Sequence, residues 1–265
     1  MSDCGDDGLS LASRWRVVRH ALRSCVPALL AAGCAPAPAT EQAREVRWLY
    51  DFFMVAGAIV FVTVAGLILW AVVRYRDDGS PELPPQFREH RRLEVTWTVI
   101  PVLIVMVLIV LTLRTVGVVD HETADPAVTV RATGFQWQWK FEYLHQGVSE
   151  IGSVGHEPVL VLPVGQPVHL ELVSADVQHS FYVPRFLFKR DVIPGQVNHF
   201  DLTLSEPGTY QGECAFICGL DHARMGFKLR AVPPAEFQRW LADARAQAVA
   251  GQPARTTTTS QRVAP

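Results

Sequence analysis

Two stretches without a charge constrain this chain more than any other feature. No Asp, Glu, Lys or Arg occurs from Phe52 to Val73, and none from Val95 to Leu113. A bilayer core of about 30 Å takes roughly 20 apolar residues as helix, so each stretch is long enough to span it. Buried core helices are the bland alternative. Two such windows on either side of one short polar connection are rare in soluble proteins. A hairpin is expected over residues 48–119, with spans near 52–73 and 95–113.

Charge orients the hairpin. The connection "RYRDDGSPELPPQFREHRRLE" carries Arg74, Arg76, Arg88, Arg91 and Arg92. Before the first span lie Arg44 and Arg47, and after the second comes Arg114. Basic residues stay on the cytoplasmic side, which puts the connection inside and both ends of the hairpin outside. Everything after the second span is then extracytoplasmic. Upstream, "RWRVVRHALRSCVPALLAAGCAPAPAT" has the basic start, short apolar stretch and small residues of an export signal, expected over residues 1–34. Ala31-Ala32-Gly33-Cys34 resembles a bacterial lipobox, with Ala31 where leucine is usual. Lipidation at Cys34, a cut elsewhere, and no cut are the three readings.

After Asp120 the pattern changes from continuous apolar runs to alternation. "VTVRATGFQWQWKFEY" reads as a strand with Phe135, Trp137, Trp139, Phe141 and Tyr143 on one face. Further strand-like stretches are "PVLVLPVGQPVHLELVSA", "VNHFDLTLSEPGTYQGEC" and "GFKLRAVP", punctuated by Pro194-Gly195 and Pro207-Gly208. Short strands separated by turns predict a β-sandwich or barrel over residues 124–234. A helix follows over 235–249, and the polar tail 250–265 is too repetitive to pack.

The chemistry concentrates in residues 213–225, "ECAFICGLDHARM", which hold Cys214, Cys218, His222 and Met225. A disulfide is one reading, but it leaves His222 and Met225 without a role. Structural zinc is another, although thioether is a poor zinc ligand. Soft sulfur with imidazole suits copper. His179, in "SADVQHSFYVP" at the end of a predicted strand, adds a second imidazole. Two thiolates, two imidazoles and a thioether exceed what one trigonal copper takes up, and they suffice for two coppers sharing both sulfurs. The chain's 24 basic against 26 acidic residues argue against a nucleic-acid partner.

Four motifs in order (the hairpin, "GFQWQWKFEY", "DVQHSFYVPRFLFKRDVIPG" and "GECAFICGLDHARM") resemble subunit II of bacterial haem–copper cytochrome c oxidases. The resemblance runs from about Glu45 to Ala242 and implies a membrane hairpin followed by a cupredoxin-like β-barrel with a dinuclear CuA centre. It makes Cys214 and Cys218 bridging thiolates, His179 and His222 terminal ligands, and Met225 a weak axial ligand. Phe216 would contribute its main-chain carbonyl. The family usually has Glu at that position, where its carboxylate helps bind magnesium at the boundary with subunit I. Phe216 has no such oxygen, so the copper pair carries over and the magnesium is left open.

By the same resemblance Trp137 is the electron entry point from cytochrome c, and Asp176 an acidic residue near the docking face. Glu94, Trp97, Thr98 and Pro101 match the pattern that puts Glu94 at the mouth of a proton channel shared with subunit I. The bland readings are packing aromatics for Trp137 and a helix-start carboxylate for Glu94. The implied setting is the bacterial cytoplasmic membrane, in a complex with subunit I and further oxidase subunits. That complex reduces oxygen to water and pumps protons. A quinol oxidase subunit would lack the copper ligands, and a nitrous oxide reductase would need a propeller for which there is no room. A structural barrel with a disulfide is the third alternative. No Cys-x-x-Cys-His occurs, so a fused haem domain of the cytochrome c type is not expected.

Overall fold

The computed structural model describes residues 36–76, 89–153 and 155–250. The signal segment with Cys34, part of the arginine-rich connection including Arg88, and residues 251–265 of the tail lie outside them. Two long helices come first, α1 over Glu41–Arg74 and α2 over Arg91–Val119. Thr40 starts α1 in an extended conformation, its hydroxyl accepting the Ala43 N–H at 3.0 Å. The helix therefore begins well before its apolar run. The segment Glu41–Asp51, closed by an Arg47–Asp51 ion pair at 2.9 Å, adds about 16 Å of polar helix. Along both apolar runs the large side chains are exposed, as at Phe61, Leu69, Val102 and Leu113. A surface of this kind needs lipid or another subunit to cover it. The hairpin is a membrane anchor.

Ten strands follow: β1 Val128–Phe135, β2 Gln138–Tyr143, β3 Val148–Ile151, β4 Val159–Pro163 and β5 Pro167–Ser174 come first. Then come β6 His179–Tyr182, β7 Lys189–Val192, β8 Asn198–Thr203, β9 Gly208–Cys214 and β10 Gly226–Val232. They form two five-stranded sheets, in the orders β3-β2-β1-β5-β8 and β4-β10-β9-β6-β7. The pairs β1/β5 and β4/β10 are parallel and the rest antiparallel. Alternation places Val130, Ala132, Leu170, Leu172 and Leu229 inward, where they are fully buried. Trp139, Phe181 and Phe227 close the core between the sheets, with ring centroids 4.7–5.7 Å apart.

One expected strand proves to be a hairpin. The stretch "VTVRATGFQWQWKFEY" folds back at Gln136–Trp137, pairing Phe135 with Gln138. Trp139, Phe141 and Tyr143 keep the buried face of β2, while Trp137 leaves the strand for the turn. The turn carries no Gly, Asn or Pro to mark it, and its Gln136–Trp137 peptide is cis. His179 likewise opens β6 rather than ending a strand.

Tyr143 bolts the sheets together. From β2 its hydroxyl donates to the Val161 carbonyl at 2.8 Å and accepts the Val161 N–H at 2.9 Å. Val161 lies on β4, the edge strand of the other sheet, so the bolt satisfies main-chain groups at that edge. Burial holds this phenol well above its ordinary pKa. The final helix, α3 over Pro234–Ala250, packs Phe237 and Leu241 into the core and sets Trp240 against Tyr143 at 5.0 Å.

The sandwich also grips both outer helix ends. Below α1, the Ser205 N–H donates to Ala39 O at 2.9 Å and the Thr203 N–H to Gln42 Oε1 at 3.2 Å. After α2, Asp120 pairs with Arg190, and Glu122 with His199 at 2.6 Å. Asp201, buried, accepts the Thr123 N–H and holds His169 Nδ1 at 2.6 Å.

Candidate metal centre

Three loops meet at one end of the sandwich: the β1–β2 turn, the β5–β6 loop and the long β9–β10 loop. The last is closed at its base. Met225 O accepts both the Cys214 N–H at 3.0 Å and the Trp139 indole N–H at 3.3 Å. The chain between them must bulge outward, and it does so with Phe216, Ile217 and Leu220 exposed, the last two at 82% and 90%. The reactive side chains turn the other way. Cys214, Cys218 and Met225 are buried, as is His179.

Their atoms converge. Cys214 Sγ and Cys218 Sγ lie 3.9 Å apart as free thiols, well beyond the roughly 2.05 Å of a disulfide. His179 Nδ1 approaches Cys214 Sγ at 3.9 Å, and His222 Nδ1 approaches Cys218 Sγ at 3.6 Å. Met225 Sδ is 3.8 Å from Cys218 Sγ, and Phe216 O is 3.3 Å from Cys214 Sγ. His179, Cys214 and Cys218 alone already bring three ligand atoms within 4.8 Å of one another. Thiol, thioether, imidazole and one carbonyl oxygen form a soft donor set that fits copper.

Electrostatics prepares the thiols unequally. Burial pushes Cys214 up, but hydrogen bonds with His179 and with the main chain at Phe216 and Ser180 bring it down to about 6. Burial, and then the charge on Cys214, push Cys218 up to about 12. A cation held between the two sulfurs needs both of them as thiolates. Burial pulls His179 down, yet its hydrogen bonds to Cys214 and Asp176 prevail and hold it above the ordinary value.

Asp176 has a role that its sequence position did not reveal. Exposed, as a residue near a docking face would be, it also accepts His179 Nε2–H at 2.8 Å and the Gln136 N–H at 2.7 Å. Burial raises its carboxyl, but these donors and the Val177 N–H outweigh that and hold it below the ordinary range. The ring is thereby oriented with Nδ1 toward the sulfurs, the arrangement by which outer carboxylates fix ligand histidines. The three-residue spacing of Asp176 and His179 was the available signal. Gly134 completes the seat, since a Cβ there would lie 3.1 Å from the His179 ring.

Trp137 is half-buried beside these groups and contributes no ligand atom. It lines an open groove with His156, Glu157, Asp221, Arg224 and Lys228. Glu94 is elsewhere, in the first turn of α2, about 37 Å along the helix from Val119. There its carboxylate accepts the His90 N–H at 3.2 Å, as a helix-start acid does.

A cupredoxin-like sandwich with a soft-donor pocket, carried on two apolar helices, defines a membrane-anchored electron-transfer protein. Residues 144–232 match the model of the cytochrome c oxidase subunit II periplasmic domain, and residues 31–115 that of its transmembrane domain. The probable cytochrome c oxidase subunit 2 of Streptomyces avermitilis is 34% identical over 291 residues, covering 92% of this chain and 91% of the relative. That of Streptomyces coelicolor is 33% identical over the same length and coverage. The periplasmic domain of subunit II of the Bradyrhizobium japonicum oxidase aligns at 29% identity and a TM-score of 0.44, covering 48% of this chain and 99% of that one. The chain belongs to the cytochrome c oxidase subunit 2 family. It is an oxidoreductase subunit, active within the respiratory haem–copper oxidase complex.

Proposed function

We propose that this chain is the electron-entry subunit of its oxidase and holds two copper ions at the end of the sandwich. His179, Cys214, Cys218, His222, Met225 and the Phe216 carbonyl would hold them. When bound, the copper pair supplies a one-electron relay between cytochrome c and the haem of subunit I. The observation that carries this reading is the pair of free thiols 3.9 Å apart, each with its own imidazole. A single blue-type copper takes two imidazoles, one thiolate and a weak thioether, and would leave the second thiol idle.

The protein's part is to hold these groups in advance. Buried sulfurs and the Asp176-oriented His179 keep water and rotamer freedom out of the site, so little has to move when charge changes. Trp137, half-buried at the edge of the same loops, is the residue through which cytochrome c would contact the centre. The arginine-rich connection supports a cytoplasmic loop and an extracytoplasmic sandwich, the side on which a soluble donor is met. Glu94 remains our candidate for the mouth of a proton channel, alongside its capping bond.

The test is metal content and magnetic resonance of the full chain in its complex. We expect two coppers per chain and one unpaired electron shared between two copper nuclei, lost in Cys214→Ser and in Cys218→Ser. One copper with a blue-type spectrum, or zinc, would sink the reading.

A further inference from the structure

Gln136 touches more of the site than its place in a surface turn would suggest. Its side-chain amide donates to the Cys218 carbonyl at 2.7 Å, across 82 residues of sequence. Its main-chain N–H donates to Asp176 Oδ2 at 2.7 Å, and the other oxygen of that carboxylate holds His179 Nε2 at 2.8 Å. One residue therefore joins the β1–β2 turn to both segments that carry ligand side chains. The fit leaves no slack. Gly219, directly after Cys218, has φ +132, and a Cβ there would lie 3.0 Å from both Gln136 Nε2 and Trp137 Nε1. The edge of the Trp137 indole thus rests on the main chain between Cys218 and His222.

We propose that Gln136 is a positioning residue for electron entry, clasping the Trp137 turn onto the Cys218 and His179 segments. The proposal rests on the reading of these residues as ligands and of Trp137 as the entry point. The clasp needs a neutral side chain that donates and has two methylenes. Glu has the length but presents a carboxylate to the Cys218 carbonyl, and Met has the length without any donor. Either change releases the turn from the Cys218 segment while leaving the main-chain bond to Asp176 and every proposed copper ligand in place. Electron transfer falls off steeply with distance, so a loosened turn slows entry without emptying the site.

The experiment compares Gln136→Glu, Gln136→Met and Trp137→Ala in the assembled oxidase. Three quantities are measured: copper per chain, reduction of the copper centre by cytochrome c in stopped flow, and amide hydrogen exchange over residues 216–222. Both Gln136 variants should keep wild-type copper. They should exchange about tenfold faster in that segment, the factor that loss of one ordinary hydrogen bond implies. Entry should slow by a similar factor, with Met ruling out an effect of the new charge in Glu. Unchanged exchange, or faster exchange with unchanged entry, overturns the clasp while Trp137→Ala still slows entry. If Trp137→Ala also leaves entry unchanged, the entry point itself is wrong, and the clasp falls with it.

Discussion

On the proposed reading, Phe216 separates two jobs that the resemblance gives to this position, a carbonyl for copper and a carboxylate for magnesium. Its carbonyl faces Cys214 Sγ at 3.3 Å, and that contact is independent of the side chain. The residue itself is 38% exposed, while the sulfurs are buried. Copper binding should therefore tolerate both Phe216→Ala and Phe216→Glu with unchanged stoichiometry. Magnesium is another matter, since it wants near-octahedral oxygen ligands and an aromatic ring offers none. We expect complexes grown in manganese to show a weak or absent protein-bound manganese signal by magnetic resonance, and Phe216→Glu to create or strengthen it. A strong native signal that Phe216→Glu leaves unaltered would show that the carboxylate is dispensable. Residues such as Phe216 can be read directly from sequence because the ligands flanking it lie within twelve positions, Cys214 to Met225. Gln136 cannot be read that way, since its partners Cys218 and Asp176 are set by how three loops meet. Asp176 is legible in part: His179 lies three residues on, but the Gln136 N–H comes from a distant turn.

Among the elements, β2 shows what periodicity can and cannot carry. The alternation of Trp139, Phe141 and Tyr143 identified a buried strand face, and that face is there. The same alternation extended backward through Trp137 and Phe135 hid a two-residue turn, because aromatics and glutamines continue the pattern across it. The apolar runs of α1 and α2 were legible for a simpler reason: no soluble packing absorbs so much continuous apolar surface. Cross-sheet chemistry left no trace at all. Tyr143 on β2 satisfies both main-chain groups of Val161 on β4, and nothing in either stretch announces the other. Tyr143→Phe should orphan a buried carbonyl and N–H, destabilising the sandwich by about 1–3 kcal/mol for each group left unpaired. Thermal unfolding of the full chain in detergent, followed by the loss of aromatic ellipticity, measures this. A melting temperature equal to wild type would mean that water or a shifted edge strand replaces the bolt.

In the whole molecule, the sandwich is fastened to its anchor at two places rather than tethered. The loop after α2 is held by Asp120–Arg190, Glu122–His199 and the buried Asp201, while α1 is held at Ala39 and Gln42. Asp201→Ala would strip both the Thr123 N–H and His169 Nδ1 of their partner. Residues 120–127 should then be cleaved several times faster in limited proteolysis of the complex, with copper content unchanged because the ligands belong to other loops. Resistance equal to wild type would show that the remaining contacts suffice. The rigid entry of α1 has a rotational consequence. Its polar stretch Glu41–Asp51 continues the membrane helix without a break up to the residues the sandwich grips. One residue inserted there turns whatever rides on α1 by about 100° and raises it by about 1.5 Å. Seven restore nearly the original bearing and raise it by about 10 Å. The compass direction in which the loops of the candidate site face their neighbours thus depends on a residue count in a helix outside it, together with the contacts after α2.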